Sequence, residues 1–133
     1  MGQVYIMRGV PGSGKSTEAR RLAGEDGVVH STDDYRVQGD GSHVYDRSQN
    51  AHNHDKNFAA FCASLAAGVP VVVCDNINYR REHFERYVDA AYAAGYEVQE
   101  VAMAHPLPAL AARLNSHSAP ESYIQHIIDD WED

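Results

Sequence analysis

The stretch GVPGSGKST, from Gly9 to Thr17, decides how the rest of the chain is read. Gly9, Gly14, Lys15 and Ser16 fill the fixed places of G-x-x-x-x-G-K-[ST], the phosphate-binding loop or P-loop. Its glycines let the backbone curl until successive N–H groups face one anion. The pattern has meaning only between a strand and a helix. Gln3 to Met7 is a short, mostly apolar β-type run, and Thr17 to Ala23 is helix-forming. A helix starting there turns the positive end of its dipole on the same anion. Lys15 reaches the β and γ phosphates, and the Ser16 hydroxyl can ligate Mg²⁺. The expected cofactors are ATP and Mg²⁺, held by Gly12, Ser13, Gly14, Lys15, Ser16 and Thr17.

Outward from the loop, helical and extended segments alternate. Val28-Val29-His30 reads as a second strand, with Ser31-Thr32-Asp33-Asp34-Tyr35-Arg36 at its carboxyl end. Residues 38–48 read as a loop. Asn50 to Ala67 carries Phe58, Phe61, Cys62 and Leu65 at near-helical spacing. Pro70 to Cys74 is apolar without alternation, the mark of a strand buried on both faces. Arg80 to Ala94 is expected to form one long helix. Tyr96 to Met103 alternates and reads as a fourth strand, at an edge. Leu107 to Leu114 and Glu121 to Trp131 are two further helices, joined by residues 115–120. Alternation of this kind predicts an α/β chain with a parallel sheet and right-handed crossovers, and a single domain over residues 1–133.

Composition narrows the function classes. The 133 residues are 44% hydrophobic and 23% charged, as in ordinary globular chains. No apolar run approaches the ~20 residues of a membrane helix, so the expected setting is the cytoplasm. Cys62 and Cys74 form no CxxC pair and are expected reduced. The net charge of −8, from 11 basic and 19 acidic side chains, argues against a broad duplex-binding surface. Any nucleic-acid contact is expected to be local, at a strand end.

In a parallel sheet, ligands sit beyond the carboxyl ends of the strands. The P-loop, Asp33/Asp34 and Asp75/Asn76 all fall there, so they are expected to converge. Phosphoryl transfer to a hydroxyl needs a carboxylate near that hydroxyl and cations around the developing charge. Either Asp33 or Asp34 can serve as base, and Arg36 can clamp a phosphate bidentately. Asp75 ends its strand as a Walker-B-type carboxylate does, so Asp75 or Asp33 can join Ser16 as a metal ligand. Arg113 precedes a polar segment suited to a lid. Arg80 and Arg81 begin a helix, where cations are unfavourable, which hints at a substrate-facing role, although a plain exposed face is the leading reading. His52 and His54 point to different helix faces and make no zinc pair. His52 and His117 are candidates for lining the site.

Four motifs in order, RGVPGSGKST (Arg8–Thr17), STDDYR (Ser31–Arg36), VVVCDNIN (Val71–Asn78) and NSHSAP (Asn115–Pro120), resemble the P-loop kinases that include phage-type 5′-hydroxyl polynucleotide kinases and the kinase-like domain of NEDD4-binding proteins. The resemblance spans nearly the whole chain. It implies a three-layer P-loop kinase fold with a mainly parallel four- to five-stranded sheet and a helical lid. It also implies that Lys15 and Ser16 bind ATP phosphates and Mg²⁺, and that Asp33 is the general base. Arg36 would hold the acceptor's phosphate, Asp75 and Asn76 would line the acceptor side, and Arg113 would act from the lid. The chain departs from the family at Leu114 and His117, where many relatives carry arginine.

The expected activity is therefore ATP/Mg²⁺-dependent transfer of a γ-phosphate to a hydroxyl, with the 5′-OH of a polynucleotide end as the leading acceptor. A small-molecule or nucleoside kinase on the same scaffold is one alternative, and a non-catalytic nucleotide-binding module is the other.

Overall fold

The computed structural model describes residues 2–36, 50–114 and 119–133. The loop expected over residues 38–48 lies outside the described residues, as do residues 115–118 of the segment expected to form a lid. Four strands, β1 (Gln3–Arg8), β2 (Val28–His30), β3 (Val71–Asp75) and β4 (Glu97–Ala102), form one sheet in the order β2-β3-β1-β4. Every neighbouring pair is parallel. Gln3 lies opposite Val71 on one side and Glu97 on the other, and Met7 lies opposite Asp75. This register brings the carboxyl ends of β1 and β3 level, so the chain leaving β1 into the P-loop runs beside Asp75.

The helices are α1 (Lys15–Ala23), α2 (Asn50–Ala66), α3 (Glu85–Ala93), α4 (Pro108–Leu114) and α5 (Glu121–Asp129). Successive strand residues face opposite sides of a sheet. Val4, Ile6, Val72 and Cys74 accordingly share one core with Phe61 and Leu65 of α2 and Tyr87 and Ala91 of α3. Met7 and Val73 share the other with Ala19 and Ala23 of α1. Three helices on two faces of a sheet give the three layers expected. Phe61 and Tyr87 meet edge to face at 4.9 Å, and Phe58 meets Tyr87 the same way at 5.2 Å. Such pairs contribute ~1 kcal/mol beyond their area burial. Cys74 is wholly buried, and burial pushes its thiol up to about 12, so it behaves as the small hydrophobe expected.

A third cluster joins the last two helices to the P-loop. Val10, at the loop's start, packs with Ala111 of α4 and Ile124 and Ile127 of α5. Gly12 stands where a side chain has no room: a Cβ there would lie 2.4 Å from the Ala111 carbonyl oxygen, and its φ is +84°. Only glycine meets both demands without strain.

The segment expected as one helix from Arg80 to Ala94 is broken. A 3₁₀ turn over Arg81–His83 precedes Phe84 (φ −129°), and α3 starts at Glu85. Phe84 is turned into the core at 1% exposure, and its ring receives the Arg8 guanidinium at 4.9 Å. The helix expected to reach Trp131 ends at Asp129, because Trp131 folds back onto the other face of Arg8, also at 4.9 Å. Arg8 is itself buried. Its Nε donates to the Asn78 carbonyl at 2.9 Å and its Nη2 to the Glu132 carbonyl. Burial lowers the Arg8 pKa, countered first by Glu100. A cation stacked between two rings, with backbone carbonyls for its donors, closes the seam between β1, the chain after β3 and the terminal residues.

Candidate active site

Site geometry starts with the loop's own turns. Gly12 and Gly14 both have positive φ, the Ser13 amide donates to the Val10 carbonyl at 3.1 Å, and α1 begins directly at Lys15. Because α1 packs on β1 and β3, its first residues face the end of β3. Lys15 Nζ donates to Asp75 Oδ1 at 2.6 Å, and Ser16 Oγ donates to Asp75 Oδ2 at 2.9 Å. The Lys15 and Asp75 side chains are 8% and 3% exposed. One carboxylate thus engages both functional side chains of the P-loop. Asp75 stands with Lys15 and Ser16 of the P-loop, whereas the sequence left it open between the metal and the acceptor side. Gly14 and Thr17 are exposed, and Ser13 Oγ is buried with no hydrogen-bond partner among the described residues.

The adjacent residue faces the other way. Asn76 Oδ1 accepts from the Thr32 amide at 3.0 Å and from the Thr32 hydroxyl at 2.8 Å. Thr32 opens the 3₁₀ turn Thr32–Arg36 that carries Asp33 and Asp34. The Asp33 amide donates to Ser31 Oγ at 3.3 Å and the Asp34 amide to the Ser31 carbonyl at 3.1 Å. Asp33 is half-buried and Asp34 exposed. Lys56 Nζ lies 5.2 Å from the centre of the Tyr35 ring. The Arg36 side chain and His117 lie outside the described residues.

Arg113 is exposed in the last turn of α4, two positions after the Ala111 backbone that Gly12 abuts. The expected strand-end convergence thus brings Gly12, Lys15, Ser16, Asp75, Asn76 and the Asp33 turn together. It places Arg113 on an element fixed to the loop. His52 is exposed on α2.

Arg80 and Arg81 have partners other than a substrate. Arg80 pairs with Asp130 at 3.6 Å, and Arg81 pairs with Glu100 at 3.2 Å. The Arg81 amide donates to Glu132 Oε1 at 2.7 Å, which holds the Glu132 carboxyl below its usual range. Exposed pairs of this kind contribute at most ~1 kcal/mol each. Sequence reasoning gave no role to Arg8 or Asn78. Asn78 has φ 53° and donates from Nδ2 to the Met7 carbonyl at 2.8 Å, pinning the chain after β3 to β1. The available signal was an arginine ending an otherwise apolar strand. Among the described residues, no helix is long and apolar enough to cross a membrane.

Comparison with known proteins agrees with this geometry. The chain is 32% identical over 98 residues to a 2′,3′-cyclic-nucleotide 3′-phosphodiesterase from Pongo abelii, a match covering 71% of this chain and 22% of that protein. The chain therefore spans about a fifth of the length of that relative. It is similar in fold to a chain in the structure of the Pnkp1/Rnl/Hen1 RNA repair complex, with TM-score 0.72 and 18% identity over 97% of this chain and 43% of the other. The Mycobacterium tuberculosis APS kinase CysC, solved with AMPPNP and APS, matches with TM-score 0.58 and 21% identity over 97% and 96% of the two chains. The fold is that of the P-loop kinases. An AAA domain family model matches residues 4–130, and the chain belongs to that family.

Proposed function

We propose that this chain is an ATP-dependent phosphotransferase that moves a γ-phosphoryl group to a hydroxyl, with the 5′-OH of a polynucleotide end as acceptor. The observation that carries this reading is the pair Asp75-Asn76. One residue engages Lys15 and Ser16, and the next holds the turn bearing Asp33. A donor half and an acceptor half thereby share one strand end, as direct transfer requires.

In this reading the P-loop amides and Lys15 bind the triphosphate, which draws Lys15 away from Asp75. Asp33 orients the acceptor hydroxyl and takes its proton. Arg36 holds the acceptor's phosphate, and Arg113 meets the charge growing on the transferred group. The Ser16 hydroxyl and the Asp75 carboxylate are adjacent hard oxygen donors, which suits Mg²⁺. When bound, the ion neutralises phosphate charge. The cytoplasm remains the proposed setting.

A small-molecule acceptor is the second reading, favoured by the net charge of −8 and by the likeness to a kinase solved with APS. Incubating the protein with γ-labelled ATP and matched acceptors separates the two. Label on a 5′-OH oligonucleotide, absent from its 5′-phosphorylated twin, is the expected result. Label on nucleosides or small hydroxyl compounds alone would transfer the assignment to the second reading, and nucleotide binding without transfer to any acceptor would refute both.

A further inference from the structure

Asn76 commits its side-chain oxygen to a protein group. Its Oδ1 receives two donors, the Thr32 amide and the Thr32 hydroxyl, and a carbonyl oxygen has two lone pairs. Asn76 and Thr32 are 6% and 4% exposed. The Asn76 amide is also held from the core side. It reaches Cys74 Sγ at 3.7 Å, and Cys74 packs in one buried core with Tyr87, to whose hydroxyl Asn57 Nδ2 donates at 3.0 Å. Asn57 and Tyr87 are themselves buried at 1% and 0% exposure. Asn76 therefore stands between the core that β3 shares with α2 and α3 and Thr32, the residue before Asp33. Through the Asp75–Asn76 peptide bond it is continuous with the carboxylate that engages Lys15 and Ser16.

We infer that Asn76 is a positioning residue. It fixes Asp33 at a set place relative to the P-loop by gripping Thr32, instead of contacting the acceptor as the family resemblance implies. The inference rests on the phosphotransferase reading above. Its physical basis is that a reacting group displaced by ~1 Å costs ~10²-fold in rate, while Asp33 sits on a short turn. Asn76 supplies two hydrogen bonds that tie the start of that turn to the end of β3.

Thr32→Val removes one of the two bonds at nearly constant volume, Thr32→Ser retains it, and Asn76→Ala removes both. For the full chain with γ-labelled ATP and its best acceptor, Thr32→Val is expected to lower kcat by ~10-fold and Asn76→Ala by ~100-fold. ATP affinity should stay within twofold in each. Thr32→Ser should recover kcat to within threefold of wild type. The double variant Thr32→Val/Asn76→Ala should be no slower than Asn76→Ala alone, since both act through one contact. Amide hydrogen exchange at Asp34 should quicken in Thr32→Val and not in Thr32→Ser, a readout that does not depend on activity. Wild-type kcat in Thr32→Val, additive losses in the double variant, or unchanged Asp34 exchange would overturn the inference while leaving the kinase reading intact. A wild type inert toward every acceptor would overturn both.

Discussion

Replacing Lys15 by Met tests the central ion pair without nucleotide. Lys15 Nζ and Asp75 Oδ1 lie 2.6 Å apart, with side chains 8% and 3% exposed, so neither charge is solvated in the folded chain. Lys15→Met keeps the volume and removes the cation, leaving the Asp75 carboxylate with the Ser16 hydroxyl as its hydrogen-bond partner among the described residues. At an effective dielectric of ~20, unit charges ~4 Å apart attract by about 4 kcal/mol. Breaking a buried pair by deleting one member costs about 3–5 kcal/mol, because the survivor stays buried and uncompensated. In a domain of this size each kcal/mol shifts Tm by about 3–5 °C, so a fall on the order of 10 °C is expected. Thermal and urea unfolding, each followed by the fluorescence of the single tryptophan, Trp131, with EDTA present, measure the Tm and the free-energy change. Lys15→Met/Asp75→Asn removes both charges and should recover at least ~2 kcal/mol of the loss. A Lys15→Met protein within ~1 kcal/mol of wild type, or strictly additive losses in the double variant, would refute the reasoning.

Three other outcomes are expected. Asp33→Asn should lower kcat by ~10²-fold or more with ATP affinity kept within a few-fold; equal transfer rates in the two proteins would remove Asp33 from the base role. Arg8→Met should cost about 2–4 kcal/mol in urea unfolding, since it strips donors from buried carbonyls, and a loss below ~0.5 kcal/mol would mean the ring sandwich and its hydrogen bonds contribute little. Burial pushes the pKa of His30 and of His83 down, so below the unfolded-chain value of ~6.5 the unfolded state binds more protons. That stability is complete above about pH 7, starts to fall near the unfolded value, and is lost as pH falls on through the lower folded-state value. Tm measured from pH 7.5 to 5.5 should therefore decline less steeply in His30→Gln than in wild type, and parallel slopes would count against this account.

What could be read from the sequence follows from how far apart the interacting residues lie. Strand β3 was legible because a strand buried on both faces needs no alternation, and Val71 to Cys74 has none. The P-loop was legible because its spacing is local. The expected helix from Arg80 failed because Phe84 is diverted to stack on Arg8, a partner on β1 whose other ring, Trp131, lies near the far end of the chain. No periodicity encodes a contact between residues 8, 84 and 131. Asp75 and Asn76 were legible as strand-end polar residues, yet their division of labour was not. A one-residue step along a strand reverses the direction of the side chain, and only the neighbours on each side reveal what each one meets.

The contact between Gly12 and the backbone of Ala111 has a bearing on how this protein can be altered. The absent side chain at Gly12 serves the curl of the loop and also the seat of α4, so the two cannot be tuned separately. A larger residue at 12 would lift α4, and with it the arginine two positions beyond Ala111. Conversely, a substitution that shifts α4 on its seat would be felt as a change of loop curvature. Loop curl and the seat of α4 are in that sense a single mechanical trait, set by the width of one missing methyl group.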